Sequence, residues 1–123
     1  MKIFAHPWID SQEFYSIQNQ KEIKETPPNS IIRLSSLVSS LEIAKYCQKN
    51  SIFYAIEIES IQDAIFANLL GAKYSISSKE LASKLMPIAQ NYLFDMQILA
   101  EIESDKEIEE MAKANVDGVI YKS

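Results

Sequence analysis

From Ile52 onward, short apolar runs rich in β-branched and aromatic residues alternate with longer segments whose apolar positions recur every three or four residues. The runs are Phe53-Tyr-Ala-Ile-Glu-Ile58, Lys73-Tyr-Ser-Ile-Ser77, Met96-Gln-Ile-Leu-Ala-Glu-Ile102 and Gly118-Val-Ile-Tyr121. Each has the length of a strand, and each intervening segment is long enough to cross a sheet as a helix. Parallel strands require such crossovers, whereas antiparallel strands can be joined by tight turns. The pattern predicts an α/β fold: a single three-layer domain on a mainly parallel sheet of about five strands, with helices on both faces. The arrangement is either flavodoxin-like or half-barrel-like.

The helical periodicities assign inner faces. Leu37, Leu41, Ala44 and Cys47 line a helix ending near Asn50, which is expected to take the left-handed conformation. Ile61, Ala64, Ile65 and Leu69 line a second, closed by Gly71; Leu81, Leu85, Ile88, Ala89 and Tyr92 line a third, which Pro87 must kink or divide. A fourth runs from Asp105 to Asn115 and buries Ile108, Met111 and Ala112. Three helix starts share a capping-box spacing: Ser60 with Asp63, Ser77 with Glu80, and Ser104 with Glu107. Upstream, Phe14–Ile17 and Ile31–Leu34 read as strands, with a short helix from Gln20 to Lys24 capped by Asn19 and a loop at Pro27-Pro28. Residues 1–30 are expected to form an N-terminal extension packed on or beside the repeating units.

Composition narrows the function classes. A chain of 123 residues, 47% hydrophobic, can bury one core. Its formal charge of −5, with lysines scattered along the sequence, disfavours a nucleic-acid partner. The single cysteine, Cys47, cannot form an internal disulfide and reads as a small buried hydrophobe. No apolar run reaches the length of a membrane span, and the N-terminus lacks the apolar core of a signal peptide, so a cytoplasmic location and no membrane partner are expected. Two glycines are too few for a P-loop or a dinucleotide fingerprint. His6 is the lone histidine, which argues against zinc; the neighbouring Trp8 either closes one end of the core or anchors a partner.

Candidate chemistry gathers where strands end. Glu57 and Glu59 share one face of their strand, and Glu101 and Glu103 repeat the arrangement on a later one. Converging there, they would repel one another or recruit a hard cation such as Mg²⁺; otherwise they point into water or pair with Lys79, Lys106 and Lys122. Glu101 lies inside an apolar run, so its charge needs a compensating partner. Ser35, Ser36, Ser77, Ser78 and Ser104 sit at strand ends, where open sheets and barrels bind ligands, though capping alone explains such serines. No resident metal and no cofactor are assigned.

The segments Ile61-Gln-Asp-Ala-Ile, Leu70-Gly-Ala-Lys-Tyr, Ile98 through Ala112 and Val116-Asp-Gly-Val-Ile together resemble the middle of ribulose-phosphate-binding (β/α) barrels such as indole-3-glycerol-phosphate synthase. The resemblance spans residues 53–121 and implies a half-barrel in which Glu101 falls on a catalytic glutamate. The strand holding Tyr54 and Ala55 has no lysine for acid–base work, and the chain ends at Ile120-Tyr-Lys-Ser123 before any phosphate-binding loop. A phosphoacceptor receiver domain, similar in size, is excluded because Ser35-Ser36 and Ser77-Ser78 stand where its acidic residues belong. The expectation is a noncatalytic binding or regulatory module that self-associates as a homo-oligomer. The alternative is a small enzyme acting on a small anionic metabolite, phosphorylated or carboxylated, with Glu57, Glu101 and Glu103 as acid–base or metal-binding groups and Lys122 as charge partner.

Overall fold

The computed structural model describes residues 1–122. Its strands are β1 (Lys2–Phe4), β2 (Phe14–Ser16), β3 (Ile31–Leu34), β4 (Tyr54–Glu57), β5 (Tyr74–Ser77), β6 (Gln97–Ile102) and β7 (Gly118–Tyr121). The helices are α1 (Leu37–Lys49), α2 (Ile61–Leu69), α3 (Lys79–Asn91) and α4 (Lys106–Lys113), with a 3₁₀ turn at Gln20–Glu25 capped by Asn19 as expected. All strands are parallel, in one sheet ordered β1-β7-β6-β5-β4-β3-β2. The sheet therefore has seven strands rather than about five. The segment expected as an extension beside the repeat supplies both of its edges. Lys2-Ile3-Phe4 is too short for alternation to show, and its pairing partner, Gly118–Ile120, lies at the far end of the chain.

A flat sheet of this order would hold its edge strands roughly 29 Å apart, at about 4.8 Å per step. Instead the rings of Phe4 on β1 and Phe14 on β2 lie 4.9 Å apart. The sheet is therefore curled, of the half-barrel kind, and the consecutive order across β2 to β7 leaves no reversal of the sort that defines a doubly wound fold. Strand alternation then divides the core in two. Ile32, Leu34, Tyr54, Ile56, Ile58, Ile98, Ala100, Ile102 and Val119 face outward beneath the helices; Phe4, Ile31, Ala55, Tyr74, Ile76, Leu99 and Ile120 fill the curl with Phe14 against them. The buried apolar residues of all four helices join the outer cluster and none joins the inner one. The three-layer expectation is thus corrected: helices cover one face, and curvature lets the sheet's own side chains fill the other. At the seam Gly118 leaves room for β1, because a Cβ there would lie 2.8 Å from both the Lys2 carbonyl oxygen and Leu99 Cδ2.

The four helices end alike. Ser51, Gly71, Leu93 and Asn115, each two residues past its helix, have positive φ. The next amides, of Ile52, Ala72, Phe94 and Val116, bond back to the carbonyls of Cys47, Ala67, Ala89 and Met111 at 2.9, 3.0, 2.9 and 3.3 Å. This is the Schellman closure, which turns the chain from helix into the following strand. Gly71 was expected in that role, whereas Asn50 has φ −103° and yields the position to Ser51. Pro87 sits inside an α3 that continues through it. The helix faces are also rotated from expectation. Ser40, Ile43, Ala44 and Cys47 are the buried set of α1, while Ile65 and Leu69 on α2, and Tyr92 just beyond α3, are exposed.

Candidate ligand site at the carboxyl edge

Arg33, the sole arginine, occupies the third position of β3, where alternation with Ile32 and Leu34 turns it into the curl. There its Nε donates to Glu57 Oε2 at 3.0 Å and its Nη2 to Glu101 Oε2 at 3.4 Å. Glu57 ends β4, one strand away; Glu101 lies on β6, three strands away, within reach only because the sheet curls. The arginine side chain is 18% exposed, those of Glu57 and Glu101 42% and 29%. Arg33 is the compensating partner that Glu101 required. It is the functional residue that sequence reasoning missed, although a single cation inside Ile31-Ile-Arg-Leu34 was the signal.

Glu57 and Glu101 also line a cavity of ≈ 690 Å³. Among the residues expected at the site, Ser35, Ser36, Glu57, Ser77, Ser78 and Glu101 line it, joined by Glu59 and Asp63. Leu37, Val38, Ile58, Ile76 and Leu81 give it an apolar wall. The helix starts around it are capped. Ser36 accepts the Ser39 amide at 3.3 Å, Ser60 the Asp63 amide at 3.0 Å, and Ser78 the Leu81 amide at 3.2 Å. Ser78 therefore caps α3 in place of Ser77, which belongs to β5 and donates to the Ser78 carbonyl at 3.3 Å. Ser36 also bonds the Ser39 hydroxyl at 2.7 Å.

The remaining candidates lie elsewhere. Lys122 Nζ is 4.0 Å from Glu103 at the solvent-exposed end of β7. The amides of Glu103 and Ser104 both donate to Glu107 Oε2, at 2.6 and 2.9 Å. Glu107 thus reaches back as a capping box requires, but Ser104 returns no side-chain cap, and Asp105 precedes α4. Glu107 also takes Lys79 Nζ at 2.8 Å. That lysine first, then the two amides, holds its carboxyl down to about 2. Of the four carboxylates weighed as a converging set, Glu57 and Glu101 meet on Arg33, and no group of three or more His, Cys, Asp or Glu side chains suited to a metal occurs among the described residues.

His6 is a structural clasp. Its Nδ1 accepts the Trp8 amide at 3.0 Å and its Nε2 faces Asp105 Oδ1 at 3.2 Å, with the ring edge-on to Trp8 and Tyr121. The Tyr121 hydroxyl donates to the same carboxylate, which draws Asp105 below its ordinary value and pushes the phenol up to about 12. Trp8 itself is 86% exposed. In comparison with known proteins, no family model matches the chain and no curated protein matches its sequence.

Proposed function

We propose that this protein is a noncatalytic binding module that holds one small polar molecule in the carboxyl-edge cavity. The observation that carries this reading is that Glu57 and Glu101, held together by Arg33, both line that cavity. Glu57 and Glu101 each give one carboxylate oxygen, Oε2, to the same guanidinium, which fixes the pair in place and leaves each a second oxygen able to accept from a ligand. The volume falls within the roughly 300–1,000 Å³ of small-molecule sites, and an apolar wall faces convergent polar groups, as such sites require.

The lining selects the ligand's polarity. Glu57, Glu59, Asp63 and Glu101 contribute four carboxylates, no cationic side chain lines the cavity among the described residues, and Arg33 is already shared by two of the four. An anion entering meets excess negative charge. A molecule whose polar groups donate hydrogen bonds, through hydroxyls or protonated amines, meets acceptors. The favoured ligand is therefore a polyol or amine with one apolar face rather than the anionic metabolite that strand-end serines suggest.

A thermal-shift panel of sugars, amino sugars and small amines, set against inorganic phosphate and sugar phosphates, tests this. A ligand at ten times its Kd stabilises by about 1.4 kcal/mol and raises Tm by about 5 °C in a chain of this size. That shift should disappear in Glu57→Gln/Glu101→Gln. Shifts confined to phosphate esters, with turnover of any of them, would replace the binding module with the enzyme alternative.

A further inference from the structure

A guanidinium carries five N–H donors, and those of Arg33 are not all spent on the triad. Among the described residues, Nε has its acceptor on Glu57 and one Nη2 hydrogen has its acceptor on Glu101. The other donors are not sealed in the core, because the side chain keeps 18% of its surface open. Arg33 does not line the larger cavity. It lines a separate cleft of ≈ 360 Å³ that shares no residue with the larger one. It also borders a recess of ≈ 320 Å³, but that wall is Ser16, Ser35, Ser39, Ser40 and Glu57 with no aromatic side chain.

The cleft at the seam is built differently. Its apolar wall is Phe4 on β1, Phe14 on β2 and Ile120 on β7. The two phenylalanine rings lie 4.9 Å apart and are inclined at 46°. Phe4 and Ile120 are buried, whereas Phe14 is half-buried and leaves part of its ring uncovered. Ser16 is the cross-strand partner of Arg33, which sets its exposed hydroxyl beside the guanidinium. The seam thus joins a flat apolar surface to unspent donors, the two elements that fix a small ring and its orientation.

We propose that this cleft is a second binding site, for a flat, neutral ring carrying a carbonyl acceptor, such as an aromatic amide or a lactam. The unspent donors of Arg33 require an acceptor, and a bond from a charged donor is stronger than one between neutral groups. A full anion is opposed, because Glu57 and Glu101 already share the charge of Arg33 and Glu13 also lines the cleft. A cation finds the guanidinium in its way. The volume lies at the lower end of the roughly 300–1,000 Å³ of small-molecule sites, which suits a single ring. This ligand is opposite in polarity to the one proposed for the carboxylate-lined cavity, and the two assignments stand or fall separately.

Titration of isotope-labelled protein with benzamide, benzoate and benzylamine, followed amide by amide by NMR, tests the proposal. Benzamide should shift the amides of Phe4, Phe14, Ser16 and Ile120 saturably, with a Kd on the order of 1 mM. Benzoate has the same shape and a negative charge, and should bind about tenfold more weakly. Benzylamine offers a cation in place of an acceptor and should leave those four amides unmoved, whatever it does at Ser36 and Ser78 in the larger cavity. Ser16→Phe, at an exposed strand position, fills the cleft while keeping all three members of the triad. It should weaken benzamide at least about tenfold with far-UV circular dichroism unchanged, and Arg33→Met should weaken it by a similar factor. Benzamide shifts that do not saturate, that fall outside the seam or that survive both substitutions overturn the proposal. So does benzoate binding as tightly as benzamide, or benzylamine moving the seam amides.

Discussion

Replacing Arg33 with methionine keeps most of the aliphatic stem and removes the charge that Glu57 and Glu101 share. Removing one partner of a fully buried pair costs about 3–5 kcal/mol, and an exposed pair contributes about 0–1 kcal/mol. With the arginine side chain 18% exposed and the glutamates 42% and 29%, the site lies between these limits. Arg33→Met should therefore cost about 2–3 kcal/mol at neutral pH, a fall in Tm of about 8–12 °C for a domain of this length. Glu101→Gln keeps a hydrogen-bond acceptor and should cost about 1 kcal/mol, with a coupling to Arg33 of about 1–2 kcal/mol in a urea-denaturation double-mutant cycle. The triple variant Arg33→Met/Glu57→Gln/Glu101→Gln should recover much of the single arginine loss, because no uncompensated charge is then left in the curl. A single Arg33→Met within about 0.5 kcal/mol of wild type, or a coupling of zero, would refute the view that Arg33 compensates the charges of Glu57 and Glu101.

Glu107 supplies a pH test. Its folded-state value is about 2 against an ordinary 4.5, so its contribution is fully present above 4.5 and is lost as pH falls from there toward 2. Glu107→Gln should be less stable than wild type at pH 7, and the gap should close across that acid window; a gap independent of pH contradicts the assignment. Gly118→Ala tests the seam. Leu99 Cδ2 can move from the new Cβ but the Lys2 carbonyl oxygen cannot, so overpacking should cost about 1–3 kcal/mol. Hydrogen exchange should show the loss of protection centred on residues 2–4, and unchanged protection there would mean β1 does not depend on that close approach.

Much of the fold was legible because local period and global pairing agree from Ile52 onward: each apolar run is followed by a helix and then by a neighbouring parallel strand. What escaped was set by non-local geometry. β1 has three residues and exists by virtue of its pairing with β7. Helices on one face and helices on both produce the same alternation in sequence. What separates them is curvature, revealed here by the Phe4–Phe14 contact between the two strands at opposite ends of the sheet order. Helix orientation failed for a related reason. On α2 the apolar positions at Ile61, Ala64, Ile65 and Leu69 fit an inward stripe equally well, and the choice of Ala64 with Ala67 depends on how closely the helix must approach the strands. Helix ends were readable where glycine marked one and silent where Ser51 and Leu93 adopt the same left-handed turn.

The site was half legible for a reason that generalises within this chain. The carboxylates announced themselves, since Glu57 and Glu101 interrupt apolar runs and alternation fixes which face they take. The same logic applies to Arg33, whose placement between Ile32 and Leu34 gives it the concave parity. In a flat sheet, parity alone would not have joined Arg33 to Glu101, because three strand spacings exceed the reach of the pair by several ångströms, roughly 14 Å between backbones. Curvature turns shared parity into shared space. Every long polar side chain on the inner face near the carboxyl ends is then forced toward one axis, and opposite charges there must meet. The inward Arg33, Glu57 and Glu101 follow from that single constraint, as does the exclusion of Glu103 and Lys122, which lie past the last paired residues of β6 and β7 where the curl no longer gathers them.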